Sequence, residues 1–271
     1  MDKRESHKRD LIGLFDGFVE TGDAERLKGY IISNSNLPGR RANLELAGAF
    51  ADVVEDCSEN ESQRLWELCI NMTEVPADEA PVNTPKEFIP FCGAIGVGSI
   101  GSVSPEFFEQ ALTTLKALAH DPRWRMRESV RFGLQRLMAK RSQETLKELQ
   151  GWIAEGDWLE MRAAAATVAE PATLKHKETA ISALQLHRSI IDRVLEAKER
   201  KSEDFRTLRK ALGYTLSVVV RALPKEGFEF MVQLVDLQDP DVLWIIRENL
   251  RKNRLVRNFP NEVESIEKLL K

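Results

Sequence analysis

Trp124 and Glu128 stand four residues apart, so a helix that carries them puts both on one face. Arg123, Arg127 and Arg131 follow the same spacing, and Arg136, Lys140 and Arg141 extend the charge. An indole, a carboxylate and a row of guanidinium groups within a few turns suit two tasks. The cations suit phosphate contacts, and Glu128 is the candidate for a catalytic carboxylate. The bland alternative is a docking helix with a solvated charged face. Repetition favours docking for some of the set. The pattern Asp121-x-x-Trp124-x-x-Arg127-Glu128 recurs as Asp241-x-x-Trp244-x-x-Arg247-Glu248, with a looser copy from Asp157-Trp158 to Met161-Arg162. Recurrence over tens of residues is the mark of stacked helical hairpins. In such a stack Asp121, Arg127 and Asp241 are expected to form a buried ladder, which fixes register more than it stabilises. Trp124, Trp158 and Trp244 then pack in the first turn of an inner helix, or stand out as stacking platforms.

Other motifs carry less. Gly96-Val97-Gly98-Ser99-Ile100-Gly101 matches the G-x-G-x-x-G fingerprint, but a dinucleotide site needs a preceding strand and a βαβ unit. The flanking periodicity is helical, so Phe88 to Val103 is expected to be a buried helix whose small residues allow close packing. The three cysteines, Cys57, Cys69 and Cys92, lack C-x-x-C spacing and fit a reduced, cytoplasmic setting. The four histidines show neither H-x-x-x-H nor H-E-x-x-H, so no metal and no cofactor is expected.

The elements that must position these groups are helices. With 42% hydrophobic and 30% charged residues in 271, the composition is that of a soluble globular chain. No apolar leader is visible at the N-terminus, and no uncharged run approaches the ~20 residues of a membrane span. The formal net charge of −4 hides an asymmetry. Residues 42–106 hold 12 acidic and 2 basic side chains, residues 123–141 hold 7 basic and 1 acidic, and residues 243–258 hold 5 basic and 1 acidic. Such polarity constrains partners more than fold.

Along the chain, Leu11 to Val19 form one amphipathic face, ended by Gly22-Asp23, and residues 24–34 the next, ended by Pro38-Gly39. Leu44 to Val54 and Leu65 to Met72 predict two further helices, and Pro76 to Pro85 a loop. Pro105 to Ala119 and the helix running to about Arg141 form a hairpin across the Asp121-Pro122 turn. Leu146 to Ile153, Trp158 to Val168 and Ala172 to Lys198 follow. Residues 199–204 read as a solvated linker, and Phe205 to Leu223 as a helix stopped at Pro224. A final hairpin pairs Phe228–Leu237 with Asp241–Arg251 before a short amphipathic tail.

The Asp-Pro turn and an inner helix opening with Met126-Arg127, Met161-Arg162 or Ile246-Arg247 resemble the HEAT repeat. More closely, residues 105–257 resemble bacterial HEAT-repeat proteins of unassigned function. That likeness rests on Asp121-Pro122-Arg123-Trp124, Leu208-Arg209-Lys210-Ala211-Leu212-Gly213-Tyr214 and Asp239-Pro240-Asp241-Val242. It implies an all-α fold, an α–α superhelix of about six hairpins. A fainter similarity is to the HEAT-like alkylpurine DNA glycosylases, which hold duplex DNA in the groove of such a superhelix. It rests on Trp124 with Glu128, on Arg162, and on Ala211-Leu212-Gly213-Tyr214. Glu replaces the family's Asp and Tyr its Trp, and an extra stretch separates Arg162 from Tyr214. A displaced carboxylate can cost about a hundredfold in rate.

The expectation is therefore one HEAT-like solenoid over 1–271: an acidic N-terminal region (1–104), the clearest repeats in 105–257, and a capping helix in 258–271. Its function is expected to be non-enzymatic binding of a protein or polyanionic partner on a concave face holding Trp124, Arg131, Arg162, Tyr214, Arg247 and Arg251. A protein partner is favoured, nucleic acid is possible through the basic second half, and no membrane is involved. The alternative is a DNA-binding protein or alkylpurine glycosylase acting through Glu128.

Overall fold

The apolar, glycine-rich run expected to be a buried helix is one, and the first half of the chain is arranged around it. The structure is a computed structural model that describes residues 2–271. Among the described residues it contains fourteen α-helices, three single 3-10 turns and no strand. The all-α expectation holds. No helix is long and apolar enough to cross a membrane. The helices pack as two units, Met1–Thr145 and Leu146–Lys271.

The first unit holds α1 (Lys3–Thr21), α2 (Glu25–Ser33), α3 (Leu44–Thr73), α4 (Phe88–Val103), α5 (Phe108–Leu118) and α6 (Trp124–Lys140). Gly22, in the left-handed region at φ 76°, stops α1 by returning its N–H to the Phe18 carbonyl. The two segments expected as separate helices at 44–54 and 65–72 form the single helix α3, bent at Glu61 (φ −129°, ψ 29°). No Gly or Pro lies between Gly48 and Pro76, so nothing forces the chain out of the helix. The helix α4 is buried from Phe88 to Ser102 and packs against α2, α3, α5 and α6. Its glycines explain how so many neighbours fit. A Cβ on Gly93 would lie 2.8 Å from Met72 Cβ, and one on Gly96 2.5 Å from Cys69 Sγ. At Gly98 it would lie 2.3 Å from the Gly133 carbonyl oxygen. The G-x-G-x-x-G segment is therefore a helix-crossing surface, closed to phosphate.

The second unit holds most of α7 (Ser142–Glu155), then α8 (Trp158–Val168), α9 (Lys177–Glu196), α10 (Glu203–Ala222), α11 (Pro224–Asp236), α12 (Pro240–Leu250), α13 (Asn253–Val256) and α14 (Pro260–Leu269). A capping box opens α8: the Asp157 carboxylate accepts from the Leu159 and Glu160 N–H groups. Arg193 of α9 donates to the Ile153 carbonyl at the end of α7. Both α8 and α12 lie against α10, with α9 and α11 as the intervening helices. Pro224 does more than stop α10: it occupies the first turn of α11, where a missing N–H costs nothing. Asn249, fully buried on α12, donates to the Leu212 carbonyl (2.8 Å) and accepts from the Ser217 N–H (2.7 Å), fastening α12 to α10.

Candidate functional site

In the first unit the basic stretch on α6 meets the acidic stretch before it. Asp121 accepts from the Arg123 backbone N–H (2.7 Å) and from its Nε (2.9 Å) and Nη2 (2.7 Å). The same guanidinium donates to the Val75 carbonyl at 3.0 Å, pinning the proline-rich loop. Arg125 pairs with Glu87 at 3.2 Å and donates to the Gly39 carbonyl (2.7 Å) and Asn83 Oδ1 (3.2 Å). Arg123 and Arg125 are 3% and 4% exposed, so neither a positive groove nor a solvated face describes them. Both are buried in company, as charges in an apolar interior must be. Arg136 bridges to Asp52 (2.8 Å) and Glu55 (3.3 Å), and Arg4 holds the other edge of Asp52. Three carboxylates of the acidic stretch, Asp52, Glu55 and Glu87, are thus met by α6.

What α6 offers to solvent is narrower. Trp124 is 47% exposed, and the Arg125 guanidinium carbon lies 4.3 Å from its ring centroid. Glu128 accepts from Arg131 Nε at 2.6 Å, and Arg131 also covers the Phe132 ring at 3.9 Å. Arg127 donates to the carbonyls of Asp121 (2.7 Å) and Pro122 (3.2 Å), closing its own turn. Burial pushes the Cys69 and Cys92 thiols up, which keeps both as inert core groups.

In the second unit, Asp241 is the centre of a cross-helix charge cluster. It accepts from Arg209 of α10 and, at 3.3 Å, from Arg200, which also pairs with Asp239 at 2.6 Å. Residues 199–204 are thus anchored at Arg200 rather than freely solvated. The hydrogen bond from Arg200 to Asp239 raises Arg200 above its ordinary pKa. Arg209 also covers the Trp244 ring at 4.7 Å. Gly213 lets Trp244 and Glu248 approach α10, where an added Cβ would stand 3.0 and 3.2 Å from them. The Gly of Ala211-Leu212-Gly213-Tyr214 is there for this crossing.

The next residue, Tyr214, points outward and is 39% exposed, with the Arg254 guanidinium carbon 5.4 Å from its ring centroid. Lys210, one turn earlier on α10, is also exposed. Arg251 and Lys252 share Glu248, at 2.8 and 3.6 Å, while Arg247 donates to the Leu270 carbonyl at 3.2 Å. Lys210, Arg254 and Arg257 have no ion-pair partner among the described residues. Tyr214 lies on α10, while Arg247 and Arg251 line a hollow with Glu267, Leu270 and Lys271 beside α14. Arg162 is half-buried on α8, the other neighbour of α10. Lys210 belongs to the Leu208–Tyr214 segment singled out in the sequence, and the basic composition of 243–258 was the available signal for Arg254. A guanidinium over an aromatic ring on an exposed surface is a chemistry that attracts anions.

No family model, no curated protein and no solved structure matches the chain.

Proposed function

We propose that this chain is a non-enzymatic binding scaffold of the HEAT-repeat type, an α–α superhelix of about six hairpins, that takes an acidic segment of a partner protein. The side-by-side packing of α8, α10 and α12, with α9 and α11 between them in sequence, supports the repeat reading. The observation that carries the binding reading is the Arg254–Tyr214 contact on solvent, with Lys210 four residues before Tyr214 and Arg251 and Arg257 three residues either side of Arg254 in sequence. It is the aromatic-plus-arginine composition found at binding hot spots. A protein carboxylate cluster suits it better than nucleic acid. One face of the Tyr214 ring is already covered, so a base has half a platform. The net charge of −4 also opposes a long phosphate track. The carboxylate that glycosylase chemistry would need, on Glu128, is engaged by Arg131.

Fluorescence anisotropy with a labelled oligoglutamate peptide tests the reading, beside a single-stranded oligonucleotide and a duplex carrying an alkylated purine. Oligoglutamate should bind, weaken steeply between about 50 and 200 mM salt, and weaken about tenfold in the R251E/R254E/R257E variant. Binding that ignores the triple reversal, tighter binding of either nucleic acid, or release of the alkylated base would each overturn it.

A further inference from the structure

A second surface of the Leu146–Lys271 unit has the opposite electrostatics. Between α11 and α14 runs an open groove of about 650 Å³, lined on its floor by Phe228, Val232, Phe259 and Ile266. The Phe228 and Phe259 rings meet edge to face at 5.5 Å and wall one side. Its charged lining is Glu229 on α11 and Glu262 on α14, with Lys225 at the start of α11. The two helices together carry six carboxylates (Glu226, Glu229, Asp236, Glu262, Glu264, Glu267) against Lys225 and Lys268, and Lys268 is already paired with Glu264 at 2.8 Å. One turn beyond Ile266 the apolar stripe continues onto Leu269, which is 53% exposed.

We infer that this groove is a docking site for a cationic amphipathic helix of a partner protein. The volume falls in the range of ligand-sized clefts. Along α11 the lining runs from Pro224 to Val232, about 12 Å at 1.5 Å per residue. That length receives anchors at i, i+3 or i+4, and i+7 of a docked helix. An extended peptide would need an unpaired strand edge, and the described residues contain no strand. The acidic lining selects the sign of the flanks: lysines or arginines beside the apolar stripe meet carboxylates on both helices, whereas an acidic helix or a second copy of this same lining is repelled.

The test uses the full chain and a labelled synthetic helix of about four turns, with leucines at the stripe positions and lysines elsewhere. Two control peptides replace lysine by glutamate or scramble the stripe. The leucine–lysine peptide should bind and gain helicity, and neither control should. Charge reversal of the exposed lining, Glu229→Lys with Glu262→Lys, should weaken binding about tenfold and leave the fold intact, because neither residue is in the core. Val232→Asp, placed on the floor, should weaken it by a similar factor; a circular dichroism melt shows that the variant is folded. The R251E/R254E/R257E variant should retain the peptide, because those residues are not in the groove. Equal binding of the scrambled peptide, no effect of the charge reversal, or a dimer in sedimentation that Val232→Asp dissolves would overturn the inference.

Discussion

Gly98 of α4 and Gly133 of α6 meet backbone to backbone, so closely that a Cβ on Gly98 would lie within 2.5 Å of three Gly133 main-chain atoms. Side chains can turn away from an added methyl; a helix backbone can move only as a whole. Gly98→Ala should therefore cost about 3 kcal/mol or more, read as a lower denaturant midpoint. Gly13→Ala is the control, since a Cβ there meets nothing within 4 Å. It should be neutral or stabilise by up to about 1 kcal/mol through helix propensity. Equal effects at the two sites would refute the close crossing.

The buried Arg125–Glu87 pair makes a second stability prediction. Glu87 is fully buried, and its Oε1 has no hydrogen-bond partner. Arg125→Met would strand that carboxylate without its cation and should cost about 3–5 kcal/mol. Adding Glu87→Gln should restore some of the loss, because it removes the stranded charge. A double variant less stable than the single one would show that the pair is not the reason.

His187 provides a pH signature. It is buried on α9, its Nδ1 2.8 Å from the Ala183 carbonyl and its Nε2 2.9 Å from Thr215 Oγ1. Desolvation lowers its pKa from 6.5 to about 4, against the opposing hydrogen bond to Ala183. Unfolded chains take up a proton below pH 6.5 that the folded chain refuses until about pH 4. Stability should fall as pH drops through that window, by at most about 1.4 kcal/mol per pH unit from this group. His187→Gln should lose that share of the slope, measured by urea denaturation at pH 7, 6 and 5.

Asn249 offers the last test. Asn249→Leu keeps the volume while removing hydrogen bonds to Leu212, Ile245 and Ser217. A loss of about 2–3 kcal/mol is expected, with backbone amides of α10 near Ser217 exchanging faster. An unchanged exchange pattern would mean that the clamp is not needed.

Much of this helical frame can be read from apolar periodicity and from Gly and Pro positions. The span Trp158 to Val168 is the helix α8, Gly22 ends α1, and the small residues of α4 serve close packing. Periodicity is a local property, and these are local features. The failures are non-local or concern polar linkers. The stretch from Glu55 to Arg64 has no apolar stripe of its own, yet α3 runs through it with one bend. Pro224 reads as a stop, while it is itself the first residue of the next helix. The arginines of α6 were the largest difference. A residue's type says that it is charged and not which carboxylate, 38 residues away, will face it. For the candidate site, the exposure of Tyr214 and its coverage by Arg254 depend on how α13 returns to α10, which no local pattern encodes.

The reach of Arg125 to Gly39, 86 residues earlier, has a consequence for the order of events in synthesis. Until α6 is made, the stretch 42–106 carries 12 carboxylates without the cations that later meet Glu55 and Glu87 and join Arg4 at Asp52. A nascent chain of this length is a self-repelling polyanion whose apolar α4 lacks the Gly133 surface it packs on. A fragment ending at Ser104 is accordingly expected to be protease-sensitive, and one ending at Thr145 resistant. The strong negative field legible in the first hundred residues is greatest in the unfinished chain, and the docking of α6 sets cations against Asp52, Glu55 and Glu87.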